Sequence, residues 1–377
     1  MKAEGKEAEP GDRDATDRFG AVFQVLESAI AARAFPGCAF GVLAEGDAAL
    51  SGALGHFTYG PNTPVVVPET AYDIASLTKV AATTAAAMLM VQRGRLDLAT
   101  PLGELLPGFM AKRAAGDPAR EVTLRHLLAH NSGLPGYVDL FRYANTPEAL
   151  MQACFALPLE AKPGERAEYS DPGFILLGKA LETLIGEGLD SFVHREVFVP
   201  LGMASTGFCP APAARSAIPP TEEDATFRHR RIQGEVQDEN AYVLGGVAGH
   251  AGLFSNVPDL LRFAAAVLDA SGSRGRGALS LFDVTTINRF AARQEPAGSS
   301  QALGWDTPSN PSSSGTRFSQ HSIGHLGYSG CSLWIDLDAA IAVVLLTNRT
   351  WPDRKSQLIR QVRPAFHDAI RIALDVR

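Results

Sequence analysis

A hydroxyl and an amine stand three residues apart in Ser76-Leu77-Thr78-Lys79. On a helix that spacing puts both side chains on one face. A serine hydroxyl is a weak nucleophile until a neighbour takes its proton. A lysine can do so when burial or a nearby cation lowers its pKa towards neutrality. The unpaired N–H groups of a helix start add donors for an oxyanion. Together these parts would support acyl transfer through a serine ester. The spacing itself arises by chance about once in a chain of this size, so its surroundings decide.

Those surroundings are helical. Residues 76–93 contain neither Pro nor Gly and are rich in Ala, Leu and Met. They predict a helix of about five turns, closed by Gly94 just past its end. Ala81, Ala85, Met88, Leu89 and Val91 leave almost no polar face, so the helix should be buried.

Other candidate motifs are weaker. His126 and His130 have the spacing of two zinc ligands, but Leu127 occupies the place of the general-base Glu. They are expected to pack or cap, and no metal or cofactor is expected. Residues 244–255 are Gly-rich without a dinucleotide or Walker pattern, which points to close backbone packing. No Gly-x-Ser-x-Gly elbow occurs, which disfavours a Ser-His-Asp hydrolase. Residues 162–173 form a turn-rich run that delivers Tyr169 to the start of a helix over 174–185. Its ring should pack and its hydroxyl stay wet.

The chain has 377 residues, 46% of them hydrophobic and 20% charged, with net charge −7. A mildly acidic chain without basic runs argues against nucleic acid as a partner. Cys38, Cys154, Cys209 and Cys331 form no close pair and read as free, mostly buried thiols. No apolar stretch approaches the length of a membrane span. Residues 1–14 read as a charged tail without a signal-peptide core, giving a cytoplasmic expectation.

Helical spacing covers 16–33 and a β-hairpin follows, with strands at 38–44 and 48–53 around a turn at 45–47. Residues 55–70 lead by a loop into the Ser76 helix. A short helix over 121–130 takes Thr123 as cap. Helices follow near 146–160, 190–204 and 257–268. Residues 207–240 read as a surface excursion and 270–277 as a flexible loop. A second hairpin pairs 331–335 with 340–347, and a last helix spans 354–375. Strands at both ends imply one sheet, from about 15–70 and 300–377, with a helical part inserted at about 80–295.

Three segments then resemble, in order, the active-site motifs of the serine β-lactamase-like superfamily. They are Ser76-Leu77-Thr78-Lys79, Tyr169-Ser170-Asp171 and His325-Leu326-Gly327. The likeness is to the branch of class C β-lactamases, carboxylesterases and D-aminopeptidases. Residues 124–135, 245–255 and 327–336 support it, and it spans about 16–375 of the chain. The resemblance implies an α/β (α+β) fold, with a mixed, mainly antiparallel sheet flanked by helices and an α-helical subdomain. It implies Ser76 as nucleophile, Lys79 as its proton partner and Tyr169 as the second acid/base group. The backbone N–H groups of Ser76 and Tyr328 would form the oxyanion hole. Gly327, His325 and Asp171 would line the substrate site.

Two departures bear on substrate. Asp171 stands where such β-lactamases carry Asn, and His325 where many relatives carry Lys. An ionised Asp offers only acceptors, and a neutral His no full charge. The expectation is a metal-free serine hydrolase of small carboxylic esters. D-amino-acid amides or peptides come second, with Asp171 holding an ammonium, and β-lactams third. A catalytically idle binding or scaffold protein is the reading from another class.

Overall fold

The computed structural model describes residues 18–111, 113–272 and 280–375. The 1–14 tail and most of the 270–277 loop of the sequence reading lie outside the described residues.

Helix α1 (Gly20–Ala31) buries Val22, Leu26 and Ala29 on one stripe. Strands β1 (Gly37–Ala44) and β2 (Asp47–Gly55) join through Glu45 and Gly46, both left-handed, as a tight hairpin requires. β1 is apolar along its whole length because both of its faces are covered. Strands β3 (Ser322–Leu326), β4 (Ser332–Asp336) and β5 (Ile341–Thr347) complete one sheet in the order β2-β1-β5-β4-β3. Every ladder in it is antiparallel. The two chain ends meet at the β1–β5 ladder, where Cys38 pairs with Thr347 and Leu43 with Ala342.

Side chains alternate across that sheet into two cores. Phe40, Val343, Leu345 and Trp334 pack with α1 and the last helix, α5 (Ile359–Asp375). Ala39, Leu43, Val344 and Leu333 face the helical half of the molecule. The Ser76 helix lies buried in that half, among its helices, as its uniformly apolar sequence requires.

Its first half differs from the regular helix predicted. Residues Ala75–Leu77 form a 3₁₀ turn, Lys79–Thr84 a wider π-helical stretch, and only Ala85–Gln92 an α-helix, here α2. Short π segments are over-represented at functional sites. Thr78, Thr83 and Thr84 are β-branched, which weakens helix preference. The Thr83 hydroxyl is also drawn out to the Gly249 carbonyl, at 2.6 Å.

The Thr123 cap is present on α3 (Leu124–Leu128), and His126 Nδ1 closes the reciprocal capping box. The Gly-rich run packs as expected. A Cβ at Gly249 would lie 2.2 Å from the Phe174 carbonyl on α4 (Asp171–Ile185), so only glycine fits. Residues 207–240 are not merely a surface excursion. Ile232, Val236, Gln237 and Asn240 are buried. Charge in this segment is compatible with burial because it is internally paired, Arg228 with Asp224 at 3.2 Å. The last helix begins at Ile359, later than predicted, after a loop that carries Arg354.

Candidate active site

Asp73 prepares the turn that holds Ser76. Its Oδ1 accepts from Ala75 N at 2.8 Å and its Oδ2 from Gln237 N at 2.7 Å. The first bond holds Ala75 at φ 48°, a left-handed value that a non-glycine residue keeps only under constraint. Burial, eased by these two N–H groups, raises the Asp73 carboxyl to about 6.

Lys79 lies beneath Ser76 and is fully buried. Its three N–H donors are all engaged. They reach Ser76 Oγ at 3.1 Å, Asp171 Oδ1 at 2.6 Å and the His250 carbonyl at 3.0 Å. Burial alone would lower its pKa, but Asp171 and then Tyr169 outweigh it, and the net shift is upward. Burial by itself predicts an amine drawn towards neutrality. Here the carboxylate at position 171 keeps the ammonium instead. Asp171 therefore faces Lys79 with its Oδ1, rather than standing free for a substrate ammonium.

Tyr169 arrives from a strapped loop. Glu168 N donates to the His130 carbonyl, Ser170 N to His130 Nδ1 and Asp171 N to the Gly136 carbonyl. His130 stacks between the rings of Tyr169 and Phe174, with centroids at 4.6 and 4.9 Å. It packs and positions, as expected of it, and no metal-binding group of His, Cys, Asp or Glu occurs among the described residues. The Tyr169 ring also sits 4.8 Å from Lys79 Nζ. Burial pushes its phenol up to about 12, against the pull of Lys79 and of hydrogen bonds with Lys79 and Ser76.

The edge strand β3 closes the other side. His325 is 4% exposed, and its Nδ1–H donates to the Leu326 carbonyl at 2.8 Å. Burial first, and Lys79 second, lower its pKa to about 3, so the ring is neutral. Gly327 meets the turn before Ser76, and a Cβ there would come 2.5 Å from the Ile74 carbonyl. Ser329 Oγ donates to the Asp73 carbonyl at 2.8 Å, stapling the 327–331 turn to the Ser76 turn. The two turns are thus joined at Ile74–Gly327 and Asp73–Ser329.

Ser76, Tyr169, Asp171, His325, Gly327 and Tyr328 line one open cleft of about 800 Å³. Every residue that the sequence reading placed in the site therefore comes together, with Lys79 under the floor. Several neighbours were not anticipated: Asp73, Asp238, His250 and Arg349. Asp238 Oδ1 lies 2.9 Å from His250 Nε2, and this contact fixes the residue whose carbonyl holds Lys79. Burial would raise Asp238, but His250 leads the groups that bring it down to about 2. These residues carry no local motif, and Lys79 and His250 are 171 positions apart.

Residues 22–364 match the family model described as Beta-lactamase. The chain is 30% identical over 366 residues to the N-acetylmuramyl-L-alanine amidase of Bacillus subtilis (strain 168), covering 89% of this chain and 81% of that one. Among solved structures, EstCE1, "a hydrolase with promiscuous acyltransferase activity", superposes with TM-score 0.75 at 22% identity, over 96% of this chain and all of that one. A penicillin-binding protein homologue from Caulobacter crescentus superposes with TM-score 0.75 at 18% identity, over 95% of this chain and 98% of that one. At these identities the two structural likenesses concern the fold. Among the described residues no helix is long and apolar enough to cross a membrane.

Proposed function

Given that the chain belongs to the Beta-lactamase family and is a hydrolase of the serine β-lactamase fold, we propose that it cleaves small carboxylic esters through an acyl-enzyme on Ser76. The observation that carries this reading is the contact of Ser76 Oγ with Lys79 Nζ at 3.1 Å, on the floor of an open cleft.

The resting protonation states favour a relay. Lys79 is an ammonium with all three donors engaged and has no lone pair for the Ser76 proton. A phenol both donates and accepts, so the Tyr169 hydroxyl takes that proton while passing its own to the leaving group. Where the outgoing transfer leads the incoming one, negative charge grows on the phenol oxygen, and Lys79 stabilises it. The N–H groups of Ser76 and Tyr328 receive the oxyanion. In the second half-reaction water replaces the alcohol, its proton travels through Tyr169 to Ser76, and the carboxylic acid leaves.

A second reading, an amide or short peptide as substrate, is favoured by the amidase name of the Bacillus subtilis relative. Lys79 holds Asp171 Oδ1, which weakens the case for a substrate ammonium at that carboxylate. Retention of an idle binding role is disfavoured by the complete set of Ser76, Lys79 and Tyr169 in one cleft. The test is turnover of p-nitrophenyl butyrate and D-alanine p-nitroanilide by the wild type and by Ser76→Ala. Hydrolysis of both at equal rates by the two proteins would end the reading.

A further inference from the structure

The acidic side chains of the cleft differ in how they are held. Lys79 holds Asp171, Arg142 pairs with Asp139, and Arg354 bridges Glu222 and Glu239 at 2.6 and 2.7 Å. Asp73 is 2% exposed and gives both oxygens to backbone N–H groups. Two cleft carboxylates, Asp238 and Asp306, have no Lys or Arg partner among the described residues.

Their environments separate these two. Burial raises the Asp306 pKa, and its carboxyl turns to its own neighbours, Ser300 and Thr307. Asp238 is brought down to about 2 instead, its burial outweighed by His250 and by the Ala241 N–H. Its Oδ1 accepts from Ala241 N at 2.8 Å and meets His250 Nε2 at 2.9 Å. Its Oδ2 takes no hydrogen bond from the described residues, and the side chain is 20% exposed at the cleft. An ionised carboxylate has lone pairs on both oxygens, so one oxygen is open to a ligand.

The neighbours of Asp238 fix its place. The preceding residue, Gln237, donates its N–H to Asp73 Oδ2, and the His250 carbonyl accepts from Lys79 at 3.0 Å. Asp238 therefore links the support of the Ser76 turn to the amine beneath it. Asn240 is fully buried; its Oδ1 accepts from Phe141 N and its Nδ2 donates to the Val138 carbonyl. This clamps the loop that carries Tyr137 against the Asp238 turn. The Tyr137 ring lines the same cleft and is 47% exposed. Burial first, and then Asp238, Glu239 and Asp139, raise its phenol against Arg354. The ring is thus neutral and stands in a field of negative sign. An ionised carboxylate beside an open aromatic face suits an ammonium.

We propose that Asp238 and Tyr137 select an acyl group that carries an ammonium, Asp238 Oδ2 accepting its N–H and the Tyr137 ring covering its charge. The oxyanion goes to the 327–331 turn and the leaving group to Tyr169, which leaves the 237–251 side for the acyl substituent. The inference deepens the hydrolase reading and rests on it for the identity of the cleft. It moves the ammonium contact expected at Asp171 to a carboxylate that no lysine holds.

A binding measurement tests this without turnover. Glycine ethyl ester and β-alanine ethyl ester are titrated by calorimetry into the full-length Ser76→Ala protein at about pH 6, where their amino groups are charged. Ethyl glycolate and ethyl hydracrylate are the neutral counterparts, with a hydroxyl in place of the ammonium. At least one cation should bind about tenfold or more tighter than its counterpart, as expected for a charge-assisted contact. Asp238→Asn keeps the Oδ1 acceptor for Ala241 and His250 but removes the charge, and in it the preference should fall towards equality. Tyr137→Leu alters an exposed side chain and should reduce the preference about threefold. Equal affinity of cations and neutral counterparts overturns the site, as does an unchanged preference in Asp238→Asn. Should that variant not fold, Tyr137→Leu decides alone, and an unchanged preference there overturns the proposal. An equally large preference for dimethylaminoethyl acetate over isoamyl acetate overturns the acyl-side assignment. Failure of the hydrolase reading looks different, with no ester turnover by the wild type but the cation preference intact in Ser76→Ala.

Discussion

Asp171 Oδ1 lies 2.6 Å from Lys79 Nζ, with the lysine fully buried and the aspartate side chain 14% exposed. This contact sets the charge of the site, because the carboxylate offsets the burial that would otherwise favour the neutral amine. Breaking a buried pair by removing one member costs about 3–5 kcal/mol. Asp171→Ala should therefore lose about that much unfolding free energy in urea titrations.

Asp171→Asn keeps the shape and removes the charge. Lys79 then loses the interaction that raises its pKa. If the ammonium is the active form, activity disappears as pH rises through the Lys79 pKa. The alkaline limb of the kcat profile in Asp171→Asn should therefore move to lower pH. An unmoved limb would separate Asp171 from the charge of Lys79.

Lys79 and Tyr169 act on one proton path. Lys79→Ala and Tyr169→Phe should each lower kcat by about a hundredfold or more. Their double variant should lose far less than the product of the two, since residues acting as a unit are not additive. Multiplicative losses would reject the relay.

Gly327 tests the oxyanion side. A methyl group at this position meets the Ile74 carbonyl at 2.5 Å and must push the 327–331 turn away from Ser76. Gly327→Ala should lower kcat by about a hundredfold, the scale of one lost oxyanion donor, with a smaller change in KM. A Gly327→Ala enzyme with wild-type kcat would show that Tyr328 N–H does not serve the reaction.

His325 gives a stability signature. Its folded pKa is lowered from 6.5 to about 3, so the unfolded chain takes up this proton first. Stability is complete above the unfolded value and is lost as pH falls from there towards 3. His325→Gln should remove one proton from that uptake. Between about pH 6 and pH 4 its unfolding free energy should fall less steeply than the wild type's, by about 1.4 kcal/mol per pH unit. Parallel urea titrations at three pH values measure the difference.

What was legible in the sequence was local. Ser76 and Lys79 share one face because three residues separate them, and Thr123 and His126 cap α3 for the same reason. The two hairpins announced themselves by apolar runs around turn residues. The helical form of residues 75–84 was not legible. It depends on Asp73 holding Ala75 and on Gly249 drawing out Thr83, contacts made after the chain has folded. The charge of Lys79 was misjudged for a similar reason: its partner stands 92 positions away. Residues 207–240 looked too charged to bury, yet Arg228 and Asp224 neutralise each other inside them.

In the proposed reaction Ser76 carries the acyl group. Protein quenched during turnover of p-nitrophenyl butyrate, digested and read by mass spectrometry, tests it most directly. The expected result is a butyryl adduct on the peptide that contains Ser76, and loss of both adduct and turnover in Ser76→Ala. A butyryl group on any other residue, or full turnover in Ser76→Ala, would contradict it.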